Sequence, residues 1–532
     1  MQLRPIMTAN GSFEKLRQGG YLYVDKTAYL LSLVRQDGNM FFLSRPRRFG
    51  KTLTVSTLEA IFQGKRELFK GLFIDSADYD WKAYPIIHID FGSCGKSTPE
   101  DLDGWLKDRL EEIAESYGVG PLDRNKSSDD LFAKLILLLC RKAPVVVLID
   151  EYDKVLSDHI FSPEVEKLRQ VLGNFYQVIK TNGALLRFAF ITGVTRFARL
   201  SVFSQMNNLK DLSMSPVYAT MLGYTQEELE SCFAGYIEKG LKDAGMEAGA
   251  YLARIRDRYD GYRFAPGSET VYNPVSVGLF FDPETGGGQR FKDFWVDTGG
   301  MRLIMDMAQS VDFDVRDDLA GGMSERALDT FDVAELRHYE GDRSKVQAFL
   351  LQTGYLTIGR YDEKRERFYL DFPNIEVRKA FLENLMDRYC GSNSDGARDL
   401  LKDALDEGAV AEAMRIIQGL FASNTYHQNR RDEAYFCGFM HLIMADVDPS
   451  GVSVEVAGSS GRADMVLRRP RHLYVMEFKV DQDAEVALDQ IKEKHYADAY
   501  LLERGRRVIH LLGISFSSKS RSIAGWKEEI LH

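Results

Sequence analysis

A short apolar run that leads into Gly50-Lys51-Thr52 limits the possible folds of this chain more than any other feature. Residues 41–43 are typical of a buried strand, and residues 53–62 have the apolar spacing of a helix. A strand, a turn with glycine and a helix in this order predict a phosphate-binding loop. In such a loop Gly50 lets the backbone approach a phosphate, Lys51 reaches the β- and γ-phosphates, and the hydroxyl of Thr52 is a ligand for Mg²⁺.

The residues before Gly50 depart from the usual pattern of that loop. The usual pattern begins with glycine five residues before the Gly-Lys-Thr, and here that position holds Arg45. Pro46, Arg47 and Arg48 follow it, which makes the loop stiff and cationic instead of glycine-rich. Gly-Lys-Thr alone is a weak signal, so other parts of the chain have to support it.

Length and composition indicate an ordinary multidomain protein. The 532 residues predict two to four domains, and 45% hydrophobic and 28% charged residues are typical of a globular chain. The net charge of −11 argues against a globally basic nucleic-acid binder but leaves local basic grooves open. Five scattered cysteines are expected to be reduced, and no signal-peptide pattern or membrane-spanning run is visible. We therefore expect a cytoplasmic protein without a membrane partner.

The chain divides into three predicted segments. Residues 1–225 alternate apolar runs with helical patterns, which is typical of a parallel sheet. Residues 226–390 are expected to form a helical lid and a small α+β linker module, and residues 395–532 a further domain. Polar residues 391–395 are the best linker candidate. The predicted strands are 40–43, 86–90, 145–150 and 187–192 in the first segment, 355–358 and 368–372 in the second, and 452–456, 463–467, 472–480 and 508–514 in the third.

Two carboxylates end the apolar run 145–150. Asp150 is predicted to hold the metal-bound water and Glu151 to activate the attacking water of a Mg²⁺–nucleotide site. The next strand ends in polar residues, of which Thr192 or Arg196 is a candidate sensor of the γ-phosphate. A simple turn with a surface arginine explains either of these two residues equally well.

Several motifs in order resemble the bacterial AAA-ATPase-like family, in which the Arg-Pro-Arg-Arg-Phe-Gly-Lys form of the loop is the norm. The resemblance covers about residues 1–225 and extends to 259–262 and 272–274. It implies a P-loop NTPase domain that binds ATP and Mg²⁺, with hydrolysis expected as well. The motifs are Tyr23-Val24-Asp25-Lys26-Thr27, residues 42–52, Leu148-Ile149-Asp150-Glu151-Tyr152-Asp153-Lys154, residues 191–197 and Asn207-Asn208-Leu209. The residues that the resemblance implies as ligands of ATP and Mg²⁺ are Arg45, Arg47, Arg48, Phe49, Gly50, Lys51, Thr52, Asp150, Thr192 and Arg196.

A second group of polar residues lies near the C-terminal end. Glu477 and Lys479 are two apart in a predicted strand and so face the same side, where a neighbouring strand can bring Asp464. Two carboxylates and a lysine suit metal-assisted phosphodiester hydrolysis with one or two Mg²⁺ ions. Gln490 and Glu433, on helical segments, are expected to face the same site. A bare Glu-x-Lys is more often an exposed pair, so context has to decide.

These residues resemble the PD-(D/E)XK nuclease superfamily over about residues 395–520. The matching elements are Gly461-Arg462-Ala463-Asp464, Glu477-Phe478-Lys479 and residues 487–491 before Tyr496-Ala497. The resemblance implies a nuclease that uses Mg²⁺, or Mn²⁺, with Asp464 and Glu477 as metal ligands and DNA or RNA as substrate. The turn that holds Arg468, Arg469, Arg471 and His472 either contacts a nucleic-acid backbone or is an ordinary solvated hairpin.

The combined prediction is an α/β protein. Its first part is predicted to be a P-loop NTPase parallel sheet with a helical lid. A small α+β middle module follows, for which a winged-helix-like fold is one option. The last part is predicted to be a PD-(D/E)XK-type α/β nuclease domain. We expect an ATP-binding and ATP-hydrolysing switch that controls a nuclease; the alternatives are a non-catalytic ATP-dependent regulator and an ATPase motor. Homo-oligomers are one expectation, with Arg196 and Arg199 as candidates for an arginine supplied to a neighbouring subunit. Such fusions suggest roles in defence or mobile elements by association alone.

Overall fold

The computed structural model describes two compact units, and each is considered by itself. The described residues are 3–8, 11–36, 39–160, 162–196, 209–295, 323, 343–390, 394–423, 433–448, 451–458 and 461–531. The first unit holds the described residues up to Trp295 together with those between 323 and Glu376. The second unit holds the described residues from Val377 onward.

A parallel sheet forms the centre of the first unit. Its five described strands are β1 (Asn39–Ser44), β2 (Ile86–Asp90), β3 (Val145–Asp150), β4 (Leu186–Gly193) and β5 (Leu209–Asp211), in the order β2-β3-β4-β1-β5. All neighbouring pairs are parallel, as predicted. Every residue of β3 is buried, because a sheet covered on both faces needs continuous apolar strands. The sequence did not predict β5, which has only three residues.

Helices pack around this sheet. Thr98 begins one of them: its hydroxyl accepts the amide of Asp101, and Pro99 occupies the first turn, where a missing N–H costs nothing. The first helices of the unit are α1 (Phe13–Gln18), α2 (Thr27–Val34), α3 (Lys51–Phe62), α4 (Pro99–Ser116), α5 (Ser128–Leu139), α6 (Lys154–Asp158) and α7 (Val165–Thr181).

The predicted helical lid is present after β5. It contains α8 (Gln226–Cys232), α9 (Ala234–Ala244), α10 (Ala248–Tyr259) and α11 (Pro274–Phe281), which share an apolar core. Gly261 follows α10 with a φ of 104°, and a Cβ there would lie 1.7 Å from the carbonyl oxygen of Pro373, so only glycine fits. Next come α12 (Arg343–Thr353) and an antiparallel hairpin of β6 (Thr357–Asp362) and β7 (Arg367–Asp371), close to the predicted strands.

The second unit is built on a mixed sheet. Its described strands are β8 (Val452–Gly458), β9 (Gly461–Arg468), β10 (His472–Val480), β11 (Val508–Ser517) and β12 (Ser522–Leu531), in the order β12-β11-β10-β9-β8. Only the β10–β11 pair is parallel. The helices are α13 (Ile375–Cys390), α14 (Ser394–Glu407), α15 (Val410–Ser423), α16 (Glu433–Val447) and α17 (Ala484–Glu493). Four of the strands match predicted ones, whereas β12 was missed.

The division between the units falls at a helix and not at the predicted linker. The boundary lies between Glu376 and Val377, near the start of α13. Residues 391–393 of the predicted linker lie outside the described residues, and Ser394 and Asp395 already belong to α14. The proposed domain limits at 225 and 390–395 remain predictions. Among the described helices, none has the length and apolar content that crossing a membrane requires.

Candidate functional site

The loop between β1 and α3 is shaped by two left-handed residues. Arg48 has a φ of 68° and Gly50 a φ of 88°. Nothing lies within 4 Å of a Cβ built on Gly50, so the space in front of the first turn of α3 is open. The amides at the start of this 12-residue helix point into that space, which is a favourable position for an anion.

Lys51 is folded back on the loop itself. Its Nζ donates to the carbonyl oxygens of Arg45 and Pro46 at 2.9 Å each, and the residue is 6% exposed. Burial lowers the pKa of Lys51, although the charges of Asp150 and Glu151 oppose this effect. To reach a phosphate, the ammonium group therefore has to exchange two carbonyl partners for phosphate oxygens.

Arg45 points into the protein interior. Its guanidinium donates to the carbonyl oxygens of Ser44 and Ser213 at 2.8 and 2.7 Å and to that of Tyr218 at 3.1 Å. The same group lies 4.1 Å from the ring centre of Phe264, a cation–π contact. Burial lowers the pKa of Arg45 to about 9, which leaves it charged at neutral pH. We interpret Arg45 as a residue that fixes the start of the loop and not as a phosphate ligand.

The other predicted loop residues occupy different positions. The ring of Phe49 is buried against Tyr262 and Phe264, with ring centres 4.8 and 5.3 Å away, so only its backbone can contribute to ligand binding. Arg48 is exposed and donates to the carbonyl oxygen of Phe294 at 2.9 Å. Arg47 is half-buried, and its positive charge helps to lower the pKa of Lys51. Arg47 is therefore the arginine of this loop that lies electrostatically coupled to Lys51.

Asp150 fits a divalent cation. It is fully buried, its Oδ1 accepts the amide of Glu151 at 3.0 Å, and no donor among the described residues reaches its Oδ2. Burial raises the pKa of Asp150, while the neighbouring Thr52 side chain and the charge of Lys51 favour the charged form. A buried carboxylate oxygen without a donor, next to a threonine hydroxyl, is the arrangement that Mg²⁺ prefers.

Glu151 stands beside this carboxylate in a strained conformation. Its φ is 50°, and burial raises its pKa, opposed by the charge of Lys51. Its Oε2 lies 3.1 Å from the position of a Cβ on Gly92, next to Asp90 on β2. The β2–β3 register pairs Asp90 with Asp150, so three carboxylates meet at one sheet edge. A left-handed non-glycine residue at such an edge is typical of functional sites.

The two sensor candidates, one at the end of β4 and one after it, have different surroundings. Thr192 is fully buried, and its hydroxyl has no partner among the described residues. Nη2 of Arg196 lies 2.6 Å from Oδ2 of Asp211, and the backbone amide of Arg196 donates to the side chain of Gln352 at 2.8 Å. Thr192 thus has an available hydroxyl, whereas the guanidinium of Arg196 is paired with a carboxylate. Arg199 lies outside the described residues.

The sequence reasoning gave no role to Asp153, which organises this sheet edge. Its carboxylate accepts the amides of Val194 and Thr195, the latter at 2.7 Å, and the hydroxyl of Thr195 at 2.5 Å. A Cβ on Gly193 would lie 2.4 Å from this carboxylate, so glycine is required there. One sequence feature could have revealed this role of Asp153. The residue lies three positions after the end of a buried strand, in a motif already noted for other residues.

A cavity of about 180 Å³ adjoins the phosphate loop. Gly50 and Thr54 form one wall of it, and residues before α2 and after β5 form the others. Most of its lining is apolar, including Leu22, Val24 and Leu222. An apolar cavity that opens next to an anion-binding helix end fits the base of a nucleotide.

The second unit brings Asp464, Glu477 and Lys479 together. Lys479 Nζ lies 3.1 Å from Oε1 of Glu477, and Asp464 on β9 accepts the amide of Phe478 at 2.7 Å. Gln490 on α17 donates to the same Oε1 of Glu477 at 2.5 Å and contacts the hydroxyl of Tyr496 at 3.3 Å. Burial lowers the pKa of Lys479, but the charges around it raise the pKa overall: Glu477 contributes most, then Asp464, then Glu433 at the exposed start of α16. Asp464, Glu477, Lys479 and Gln490 therefore meet in one place, and Glu433 lies near enough for its charge to act on Lys479.

The carboxylate of Glu477 has one oxygen that a metal ion can approach. Burial, and next the charge of Asp464, raise the pKa of Glu477 to about 7. Its Oε2 is buried without a donor among the described residues. Within the described part of the chain, no cluster of three or more His, Cys, Asp or Glu side chains is arranged around a point for a metal. Two neighbouring carboxylates, one of them with a buried oxygen that no described donor reaches, fit Mg²⁺, which keeps several water ligands.

Family comparisons agree with both sites. Residues 8–203 match the model described as predicted AAA-ATPase, AAA-ATPase_like, and residues 431–526 match that of the PD-(D/E)XK nuclease superfamily. These matches contain the phosphate loop, the β3 carboxylates and the Asp464–Lys479 group. The predicted family and α/β fold class are confirmed.

The chain is also similar to a protein of about the same length and, more weakly, to a solved structure. A protein of Azotobacter chroococcum mcd 1, described as "Uncharacterized protein in vnfD 5'region", is 33% identical over 545 residues, which cover 98% of each chain. The Aeropyrum pernix ORC2 protein, solved as ADPNP–ADP complexes, is 15% identical with a TM-score of 0.26, over 70% of this chain and 93% of that chain. A TM-score of this size supports no conclusion. The chain therefore belongs to the AAA-ATPase-like family and carries a PD-(D/E)XK nuclease superfamily domain at its C-terminal end.

Proposed function

We propose that this protein is a metal-dependent nuclease under the control of an ATP-binding and ATP-hydrolysing switch. The observation that carries the proposal is the meeting of Asp464, Glu477 and Lys479 at one point of the β9–β10 pair. A buried carboxylate with a pKa raised to about 7 and an open oxygen destabilises the fold, so its presence favours a catalytic use over a structural one.

The residues of the nuclease site have distinct roles in this proposal. Asp464 and Glu477 hold a divalent cation, Mg²⁺ or Mn²⁺, which when bound polarises the phosphodiester and lowers the pKa of a water molecule. Lys479 orients the attacking water or the scissile phosphate with its ammonium group. Gln490 fixes the rotamer of Glu477 through the hydrogen bond to Oε1, and Glu433 supports the charge of Lys479.

The nucleotide site supports the switch. The open space before α3 takes the phosphates, Lys51 and Thr52 approach them, and the apolar cavity beside Gly50 takes the base. Asp150 holds Mg²⁺ through water and Glu151 activates the attacking water, as predicted for nucleotide hydrolysis. Thr192 is the favoured sensor of the γ-phosphate because its buried hydroxyl has no partner among the described residues.

One incubation series tests the nuclease. The full chain is incubated with DNA and with RNA, with Mg²⁺ or Mn²⁺, and with or without ATP. We expect cleavage that is lost in Asp464→Ala and retained in Asp489→Ala, an exposed aspartate of the same unit. Binding without cleavage under every metal condition identifies a non-catalytic regulator, and nucleotide turnover stimulated by nucleic acid without cleavage identifies a motor.

The control of the nuclease by nucleotide rests on the order of the domains in the chain. We expect Lys51→Ala to abolish nucleotide binding and to change the rate or the substrate choice of cleavage. Lys126→Ala, which removes an exposed lysine of the same unit, is the control. Loss of nucleotide binding with an unchanged cleavage rate and substrate choice would show that the two activities are independent.

A further inference from the structure

Two adjoining loops at one end of the second sheet carry a group of arginines. Two hydrogen bonds join the turn between β9 and β10 to the segment that precedes β11. The backbone amide of Val508 donates to the carbonyl of Arg471 at 2.9 Å, and the side-chain Nε of Arg507 donates to the carbonyl of Arg469 at 2.8 Å. We define the arginine platform as the side chains of these loops that lie at the surface, namely Arg468, Arg471, Arg504, Arg506 and Arg507.

The platform is strongly positive on a chain whose net charge is −11. Glu503 pairs with Arg507 and lies 3.8 Å from Arg468, so it neutralises part of the charge. Within the described ranges, Arg471, Arg504 and Arg506 are exposed and have no carboxylate within ion-pair distance. These three arginines are therefore available to an external anion.

Arg469 differs from the platform residues. It is 5% exposed, and its guanidinium is held by Asp406 at 2.7 Å and Asp448 at 2.6 Å. Its charge is thus balanced inside the unit, where it fixes the turn. The predicted role of this turn in nucleic-acid contact consequently passes to its exposed neighbours.

The second loop of the platform packs on the face of the sheet that holds the candidate nuclease site. Tyr500, in the second loop, packs with Leu473 and Val475 of β10. Side chains two apart on a strand share a face, so Glu477 and Lys479 belong to this face too. Glu477 lies five positions after His472, which corresponds to about 16 Å along the strand.

The second loop of the platform is exposed at Leu502. Leu502 is 95% exposed, so no described part of the chain covers this loop. An apolar side chain among exposed arginines gives the sugar or base of a nucleotide something to pack against while the guanidinium groups hold phosphates. An acidic protein would use the same arginines, but it would not explain why one of their two loops packs on the face that holds a site suited to phosphodiester hydrolysis.

We propose that the arginine platform binds the phosphate backbone of the nucleic-acid substrate about 16 Å from the scissile bond. This inference rests on the proposed nuclease function and adds a substrate-binding surface to it. With about 3.4 Å for each nucleotide step, the platform holds the strand about five nucleotides from the cleavage point. Guanidinium–phosphate contacts carry no sequence information, so the platform contributes affinity and register instead of sequence choice.

The test removes three charges and measures binding separately from cleavage. The variant is Arg471→Gln/Arg504→Gln/Arg506→Gln, and the matched control Lys402→Gln/Arg415→Gln/Lys519→Gln removes three exposed charges elsewhere in the same unit. Binding of labelled duplex DNA and of RNA to the full chain is followed by fluorescence anisotropy at several salt concentrations. We expect the platform variant to bind at least about tenfold more weakly and its slope of log K against log salt to fall by about 2–3, while the control changes little.

Four outcomes separate this proposal from the proposed function. If the wild-type chain cleaves and the platform variant binds and cleaves as the control does, the platform proposal is overturned and the nuclease stands. If binding depends on the platform but no condition gives cleavage, the platform stands and the nuclease fails. A wild-type chain that binds neither DNA nor RNA overturns the platform. A platform variant that loses binding of an acidic polypeptide but not of nucleic acid overturns it in favour of a protein partner.

Cleavage products give a second readout. Substrates shortened to fewer than about five nucleotides on one side of the cleavage point should lose the platform's contribution, so the wild type and the variant should cut them equally well. An unchanged thermal shift with Mn²⁺ in the variant verifies that its metal site is folded. A difference between wild type and variant that persists on the shortest substrates would contradict the proposed distance.

Discussion

Lys479 Nζ lies 3.1 Å from Oε1 of Glu477, whereas the other oxygen of this carboxylate is buried without a donor among the described residues. The ammonium group therefore stabilises one side of the carboxylate and leaves the other side for a metal ion. Burial and the charge of Asp464 outweigh this stabilisation, because the pKa of Glu477 is raised to about 7. The geometry of this pair leads to the first two predictions.

The first prediction concerns the pH dependence of stability. The ordinary pKa is 4.5 and the folded value about 7, so between these values folded Glu477 keeps a proton that the unfolded chain has lost. The second unit should lose stability as pH rises through this interval, and the full cost should be present above pH 7. Glu477→Gln should remove the cost and stabilise the unit at pH 8 by up to about 3 kcal/mol. Thermal unfolding at pH 5 to 8 measures this, with Glu493→Gln as the control.

Metal binding also tests the protonation of Glu477. A divalent cation needs charged Glu477, so the rise in melting temperature with Mn²⁺ should be larger at pH 8 than at pH 6. Glu477→Gln should abolish that rise, and Glu493→Gln should keep it. An equal metal effect at both pH values, or in the Gln variant, would exclude Glu477 as a metal ligand.

The second prediction separates metal binding from catalysis. Lys479→Met keeps the length of the side chain and removes its charge, so Asp464 and Glu477 should still bind Mn²⁺. Cleavage should fall by about 100-fold or more, because the positioned ammonium group is lost. Lys527→Met, with an exposed lysine of the same unit, should be unaffected. If Lys479→Met lost its thermal shift with Mn²⁺ along with its activity, the lysine would have a structural role.

The third prediction compares two glycines with the same backbone conformation. Gly50 has a φ of 88° and Gly71 a φ of 80°, and nothing lies within 4 Å of a Cβ on either. Alanine at each position should cost about 1 kcal/mol of stability through backbone strain. Only Gly50→Ala should also weaken nucleotide binding, because its methyl group enters the space where phosphates approach. Calorimetric titration with ATP compares the two; equal affinities would place the phosphates elsewhere.

The fourth prediction concerns Asp153. Asp153→Ala leaves the buried amides of Val194 and Thr195 without an acceptor, and we expect a loss of about 3 kcal/mol in the stability of the first unit. Nucleotide hydrolysis should decrease more than nucleotide binding, since the amides that Asp153 holds directly follow the end of β4, where Thr192 lies. Asp158→Ala, at a more exposed aspartate, is the control. Unfolding and turnover are measured on the same preparations, and normal turnover in Asp153→Ala would contradict the role of this turn.

Continuous apolar runs made the first sheet predictable. The inner strands β1, β3 and β4 are covered on both faces, so each needs several apolar residues in a row, and that pattern is visible in a single sequence. The pairing of Glu477 with Lys479 was equally accessible, because the alternation of side chains along a strand is a fixed property of its geometry. In both cases the local pattern and the tertiary environment favour the same structure.

The features that were missed depend on distant parts of the chain. The edge strand β12 contains Gly525, Lys527 and Glu529 and has a neighbour on one side only, so its sequence shows no apolar run. Arg45 belongs to a cationic loop, and nothing near it in the sequence indicates that its guanidinium turns inward. Two of the three acceptors that hold it, the carbonyls of Ser213 and Tyr218, lie far along the chain, as do the groups that Asp153 binds.

The contact between Arg45 and Ser213 joins residues 168 apart in sequence. A phosphate loop that is shaped by its own glycines is complete once its strand and helix have formed. Here the first residue of the loop takes its place only after the chain has extended far beyond β4 and folded back. During synthesis the nucleotide site would therefore be finished late, and a chain interrupted before Ser213 would lack a properly formed loop although every residue of its motif was already present.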